Sequence, residues 1–467
     1  MSTARKVVVI GAGPGGYVCA IRLAQLGQDV TCVEKDELGG ACLNVGCVPS
    51  KALIAAGSLM EKVRNASTMG ITVKGVELDV EKLVDWKQSI VTRLTGGVGG
   101  IFKNHKVKHV RGTARVTGKN SVEVKTDTGV ETLTCDDIVI ATGSMPTAIP
   151  GFAFDGKHVW SSTEALSPDR IPKHLLVIGG GYIGLELGQL YRKLGANVTV
   201  VEFTDGALPG QDRDCVKVIE RNMKKAKIKL ITKTAAKSWE QKGDGYVVHV
   251  EDRDGKKTEV ECDQILCTVG RTPFSDDLGL ESVGLKTERG FLVVDKKMRT
   301  SVPNIYAIGD IAGQPMLAHK GSKEGLVAAA VIAGQDEEYD VRCVPAVIFT
   351  SPEMASVGLL EEDAKAKGHE IAVGKFPFGA SGRAMSLMET EGFVKIVADK
   401  KTDEVLGVHM VGPEVTELVA EAALAIEMGA TAEDIARTIH AHPTLPEAMM
   451  EAAEAVHKMA IHIYQKQ

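Results

Sequence analysis

No run of apolar residues in this chain approaches the roughly 18 that a membrane-crossing helix needs, which argues against a membrane span. Nor is there a Lys/Arg-rich stretch. With a formal net charge of -6, that argues against a nucleic-acid binder. Room for a leader is missing too: VVVIGAGPGG opens at Val7, so no signal or transit segment is expected and the cytoplasm is the expected setting. No second Cys/His cluster has zinc spacing, so no metal is expected. The nine cysteines are an odd number, which excludes a fully paired disulfide framework. What is present is ordinary in bulk. The chain has 467 residues, enough for about three domains. It is 44% hydrophobic and 25% charged, as soluble globular proteins are. Its 50 glycines fall mostly in short clusters, which read as tight turns.

One pattern occurs twice. Val7 to Ile10 is a short apolar run ending in GAGPGG; a helical pattern follows, then VTCVE closes at Glu34. LLVI, from Leu175 to Ile178, leads into GGGYIG, a helical pattern to Leu194, and VTVVE closing at Glu202. Gly11, Gly13 and Gly16 in the first copy, and Gly179, Gly181 and Gly184 in the second, satisfy G-x-G-x-x-G. In both, the acid lies 23 positions after the first glycine. Such glycines permit a tight turn, close approach of backbone to a pyrophosphate, and close helix–strand packing. The helix start offers free N–H groups to the pyrophosphate, and the terminal Glu accepts from a ribose hydroxyl. A 2′-phosphate at Glu202 would need a nearby cation, and none occurs from Phe203 through Asp212, so this copy reads as NAD rather than NADP. DDIVIATGSMP (from Asp136) and DQILCTVGRTP (from Asp263) echo each other as crossing strands. From about Arg342 on, strands and amphipathic helices carry no nucleotide signature. The expected fold is α/β: two Rossmann-like dinucleotide-binding domains plus a C-terminal α+β interface domain.

Between the copies lies GGACLNVGCVPSK, with Cys42 and Cys47 five positions apart. Cys262 and Cys267 share that spacing within ECDQILC. As one continuous strand, that run would hold their α-carbons about 16 Å apart on opposite faces, beyond the roughly 4.4–6.8 Å of a disulfide. They read as core filler, as do Cys19, Cys32, Cys135, Cys215 and Cys343. Cys42 and Cys47 sit among Gly39, Gly40, Gly46 and Pro49, which break regular structure and permit the bend a bridge needs. By spacing alone they remain a redox pair, structural thiols or metal ligands.

Together, GAGPGG, GGACLNVGCVPSK, ATGS, GGGYIGLELG, TSVPNIYAIGD, PMLAHKG and HAHPTLPE resemble the flavin-dependent disulfide oxidoreductases, in that family's order and over essentially the whole chain. The nearest likeness is to members that oxidise protein-bound dihydrolipoamide for 2-oxoacid dehydrogenase or glycine-cleavage complexes. The resemblance implies FAD in the first copy, with Glu34 on its ribose; Ala114, Thr142, Gly143 and Ser144 would lie along it. Asp310 would stand near the ribityl chain, and Met316, Ala318 and His319 near the ring. Lys51 would lie beside flavin N5, paired to Glu186. NAD would occupy the second copy, with Gly270 at its nicotinamide end. Cys42 and Cys47 would form the redox disulfide, Cys47 nearest the flavin and Cys42 attacked by the substrate. His442 would be the catalytic base, oriented by Glu447 and supplied across a homodimer interface.

Some of these residues also have plainer readings. Lys51 alone reads as a surface lysine and Asp310 as a helix cap. Thr444 and Glu447 fit a capping box, and His440 reads as structural. Ala41 departs from a more usual Thr. Tyr182 replaces a small apolar residue and is similar to the tyrosine lid of glutathione reductase. Expected boundaries are 1–147 and 273–341 for the FAD domain, 148–272 for the NAD domain and 342–467 for the interface domain. The rivals are a glutathione- or mercuric-reductase-like enzyme and a non-enzymic redox-sensing flavoprotein. The C-terminus carries no cysteine pair of the mercuric-reductase kind, no cations follow Glu202 as NADPH would need, and the four residues Cys42, Cys47, Lys51 and His442 are intact.

Overall fold

The computed structural model describes residues 4–466. The first apolar run becomes strand Lys6–Ile10, central to a five-stranded parallel sheet. The order is Ile305–Ala307, Asp137–Ile140, Lys6–Ile10, Asp29–Glu34, Lys108–Arg111. The second run becomes His174–Ile178 in a matching sheet: Val159–Trp160, Gln264–Cys267, His174–Ile178, Asn197–Val201, Lys229–Ile231. Strands covered on both faces read as continuous apolar runs rather than alternation, as VVVI and LLVI do. In each unit a separate three-stranded antiparallel meander, starting at Thr113 or Thr234, precedes the crossing strand. Beyond the crossing strands, Ser144–Pro146 and Arg271–Pro273 pair with each other and join the two units.

The C-terminal part is a five-stranded antiparallel sheet in the order Ala346–Ile348, Glu353–Gly358, Val405–Gly412, Phe393–Asp399, Ile371–Pro377. Helices Val415–Met428 and Glu447–Val456 pack their apolar residues into its core. One hydrophobic cluster runs through all three parts, joining Leu53 and Met60 to Leu187, Leu190 and Val200, and to Met354 and Phe393. That shared core fixes helix Cys47–Arg64 against helix Tyr182–Leu194.

Four expectations need correcting. Gly96, Gly97, Gly99 and Gly100 form no turn; they lie inside helix Val80–His105, whose amphipathic packing through Val91, Val98 and Phe102 outweighs their poor propensity. ECDQILC is not one strand: Asp263 breaks it, and its carboxylate caps the N–H groups of Lys173 and His174. Cys262 and Cys267 therefore belong to different sheets yet enter the same core, both buried and free. Cys343 is only half-buried. Finally, Gly40–Arg64 has the length and apolar character of a membrane-crossing helix. Gly46 breaks it, and its buried residues Leu53 and Met60 join the core.

Candidate active site and nucleotide cradles

Each glycine turn is sterically closed except on one side. At Gly11 (φ +99) an added Cβ would lie 2.4 Å from the Ala141 carbonyl oxygen, and at Gly16 1.9 Å from that of Gly11. At Gly179 (φ +105) the distance is 2.6 Å to the Thr268 oxygen, and at Gly184 2.2 Å to that of Gly179. Gly13 and Gly181, the caps of helices Pro14–Gln25 and Tyr182–Leu194, have nothing within 4 Å of such a Cβ. That bare backbone at a helix start is where a pyrophosphate can approach, so both turns fit a dinucleotide.

The strand-end acids brace the turns. Glu34 accepts from the N–H of Ala12 (2.7 Å) and Asp36 (3.0 Å); Glu202 accepts from Gly180 (2.5 Å) and Thr204 (2.6 Å). Each carboxylate oxygen keeps a further lone pair for a ribose hydroxyl. Gly112 donates to the Glu34 carbonyl at 2.9 Å, which sets strand Thr113–Gly118 and Ala114 beside the first turn.

The cysteine segment is tied to the first turn. The Gly39 N–H donates to the Ala12 carbonyl at 2.8 Å, and Gly40 crosses so near that its Cβ would stand 2.6 Å from the Gly13 α-carbon. Helix Gly40–Val45 then stops at Gly46 (φ -146, ψ -109) and a new helix, Cys47–Arg64, begins. Pro49 sits in its first turn, where no N–H partner is needed. The bend sets the two thiols near enough for each to be the first cause of the other's shift. Cys42 is half-buried, Cys47 is exposed, and both are free thiols. Cys42, together with the Lys51 ammonium, lowers the Cys47 thiol from 9.0 to about 7. Cys42 is raised, first by Cys47 and next by burial. Cys47 also stands at a helix N-terminus, where a thiolate is favoured.

One turn along the helix, Lys51 Nζ lies 2.9 Å from Glu186 Oε2 and 4.4 Å above the Phe349 ring. Glu186 is buried, and its other oxygen accepts the Phe349 N–H at 2.9 Å. Lys51 is thus no free surface lysine. Asp310 does not cap a helix; its Oδ2 accepts from the Ser144 hydroxyl at 2.5 Å, and Arg271 donates to the same hydroxyl at 2.7 Å. Thr142 donates to the Phe274 carbonyl, while Gly143 (φ +70) accepts the Phe274 N–H. Met316 leads into helix Ala318–Ile332, whose first N–H groups have no side-chain cap. The exposed His319 ring instead contacts the Pro345 carbonyl at 2.7 Å. Gly270 (φ +141) is exposed beside the second turn. Tyr182 is exposed; its phenol is raised first by burial, against the charge of Arg271, which lowers it, and further by the charges of Asp310, Glu186 and Cys47.

Sequence reading missed the buried pair Lys320–Glu324 (2.8 Å). Glu324 accepts the Gly309 N–H at 2.7 Å, and Lys320 donates to the carbonyls of Gly309 and Gly313, so the pair clamps the turn bearing Asp310. Its i,i+4 spacing was visible; its burial was not.

His442 stands apart from this group. Its side chain is 80% exposed, and Nδ1 lies 2.8 Å from Glu447 Oε1. Among the described residues it makes no hydrogen bond to Cys42 or Cys47 within the protomer. Only half the capping box forms: Glu447 Oε2 accepts the Thr444 N–H, but the Thr444 hydroxyl turns to the Ala441 carbonyl. Burial opposes it, yet the Thr444 N–H and His442 hold the Glu447 carboxyl below its ordinary value. His440 is buried against Glu421, as a structural residue would be. Among the described residues no group of three or more His, Cys, Asp or Glu could hold a metal.

With doubled cradles and a thiol pair bent onto the first, the geometry is that of a flavin- and nicotinamide-dependent disulfide oxidoreductase. The chain belongs to the pyridine nucleotide-disulphide oxidoreductase family, whose model matches residues 5–325; the family's dimerisation domain matches residues 344–453. That family uses FAD and NAD. The chain is 50% identical over 460 residues to a dihydrolipoyl dehydrogenase of Thermus scotoductus, covering 98% of each. It is also 50% identical over 458 residues to that of Bacillus subtilis, covering 98% of this chain and 97% of the other. Among solved structures, LpdA of Mycobacterium tuberculosis superposes with a TM-score of 0.90 at 29% identity, covering 96% of this chain and 99% of that one. The HOCl-induced flavoprotein disulfide reductase RclA of Escherichia coli gives 0.86 at 26% identity, covering 96% and 99%.

Proposed function

We propose that the protein oxidises the dihydrolipoamide arm of a lipoyl-bearing carrier to lipoamide and reduces NAD, as a cytoplasmic homodimer serving 2-oxoacid dehydrogenase or glycine-cleavage complexes. The observation that carries this is the Cys42–Cys47 pair, held against the first glycine turn with Lys51–Glu186 beside it. Relatives of about half identity bearing the dihydrolipoyl dehydrogenase name support the substrate. Free thiols throughout suit a reducing compartment.

In this reading residues 1–147 and 273–341 hold FAD: Gly11, Gly13 and Gly16 at the pyrophosphate, Glu34 at the ribose, Asp310 and Ser144 along the ribityl chain, Ala318 at the ring. Residues 148–272 hold NAD through Gly179, Gly181, Gly184, Glu202 and Gly270, and residues 342–467 make the two-fold interface. Bound FAD supplies the two-electron link between dithiol and nicotinamide. The chain's own residues handle sulfur and protons. A substrate thiol gives its proton to His442 and attacks Cys42 Sγ; the Cys42–Cys47 bond breaks and Cys47 leaves as thiolate. The second substrate thiol then attacks the substrate sulfur of the mixed disulfide, closing the lipoamide ring and freeing Cys42, which keeps the proton. Two electrons have passed to the pair. The thiol preferences match this end state, with Cys42 raised and Cys47 lowered. The Nδ1–Glu447 contact fixes the tautomer that leaves Nε2 free to accept.

Because His442 is exposed and separate from the thiols, it serves the partner's pair across the interface. Dihydrolipoamide and NAD should yield NADH; none forming would end the proposal. His442→Gln should slow the dithiol half-reaction about 10²–10⁴-fold and spare NADH oxidation by artificial acceptors. Equal slowing of both would make His442 structural. A diluted monomer retaining full activity would remove the in-trans role.

A further inference from the structure

The local sequence after Glu202 has no cation until Arg213, but the tertiary structure brings one from elsewhere. Arg253, just past strand Gly245–Asp252, folds over the segment following Glu202. Its Nη2 donates to the Phe203 carbonyl at 3.3 Å, its guanidinium lies 5.8 Å from the Phe203 ring centre, and Nη1 meets Asp205 Oδ1 at 2.5 Å. Its backbone N–H donates to the Lys233 carbonyl, and the Lys233 N–H donates to that of Thr204. Glu202, at the place of the adenosine ribose, is itself braced by Thr204. A guanidinium this near a strand-end ribose site is the side chain best suited to a phosphate. Glu202 would repel such a phosphate, but Glu202 alone leaves Arg253 to attract it.

We propose that Asp205 is a specificity-determining residue: its carboxylate offsets the charge of Arg253, so that the guanidinium does not attract a 2′-phosphate and NADP is refused. This deepens the reading that the second glycine turn holds NAD and rests on it. Arg253 and Asp205 are both largely exposed (49% and 74%), and such a pair is individually weak. Asp205 therefore acts by supplying charge where a phosphate would bind, rather than by locking the arginine away.

The test uses calorimetry on the FAD-loaded enzyme, with 2′,5′-ADP as the phosphate-bearing probe and 5′-ADP as its control. The parent should bind 5′-ADP more tightly than 2′,5′-ADP. Asp205→Asn should tighten 2′,5′-ADP by about tenfold, the size of one charge-assisted contact, and change 5′-ADP by less than about twofold. Adding Arg253→Ala should abolish that gain. A gain that never appears, or that survives the loss of Arg253, overturns the proposal. Failure of the parent to bind 5′-ADP overturns instead the siting of NAD at this turn.

Discussion

Gly11 and Gly179 adopt nearly the same left-handed angle, +99 and +105, and Glu34 and Glu202 brace their turns through the same two kinds of N–H contact. The match extends beyond the acid: Gly39 N–H returns to the Ala12 carbonyl, and Leu208 N–H returns to that of Gly180. There the two units part. After Gly39 the chain enters a short helix that places Cys42 and Cys47 over the turn; after Leu208 it runs to helix Arg213–Lys225, which buries Cys215 completely. Burial pushes the Cys215 thiol well above its ordinary value, whereas Cys47 falls to about 7. A glycine turn seats a nucleotide; the segment that follows decides whether chemistry is attached.

The sharpest break of that contrast is Cys47→Ser against Cys215→Ser. The first should retain FAD and lose at least about 10⁴-fold in lipoamide turnover; the second should stay within about twofold. Turnover surviving Cys47→Ser would remove the redox assignment. Next come Gly16→Ala and Gly184→Ala, each overpacking a turn at a cost of about 1–3 kcal/mol. Gly16→Ala should purify without flavin. Gly184→Ala should stay yellow and bind NADH at least about tenfold more weakly, scored by flavin content and NADH titration. Loss of flavin in both would show that the units are not independent.

Lys51→Met should lower stability by about 1–3 kcal/mol, because Glu186 keeps its place in the core without its cation. A melting curve checks this, and an unchanged midpoint would make the pair decorative. The smallest expected effect is on pH. The Cys47 thiol is lowered, so its thiolate is present above about pH 7 and is lost as pH falls through that value. Alkylation of the reduced enzyme should track that midpoint. Cys42→Ala removes the main cause and should move it upward toward 9.0; an unmoved midpoint would assign the shift to Lys51.

Much of the site was legible because it is built from short-range backbone rules. The turns at Gly11 and Gly179, the acids 23 residues on and the break at Gly46 each follow from constraints acting within a few residues. The cluster at 96–100 misled for the converse reason: glycine permits a turn without requiring one, and core packing along Val80–His105 chose a helix.

The sequence by itself determined two nucleotide cradles and permitted a bend at the cysteine pair between them, since sterics at glycine and proline act among neighbours in the chain. Only the tertiary structure decided that Lys51 meets Glu186, that Ser144 meets both Asp310 and Arg271, and that Arg253 meets Asp205. Those contacts join residues 48 to 166 positions apart. Such a pairing leaves no periodic trace in a single sequence, and burial, which sets its strength, exists only once the sheets and helices have packed.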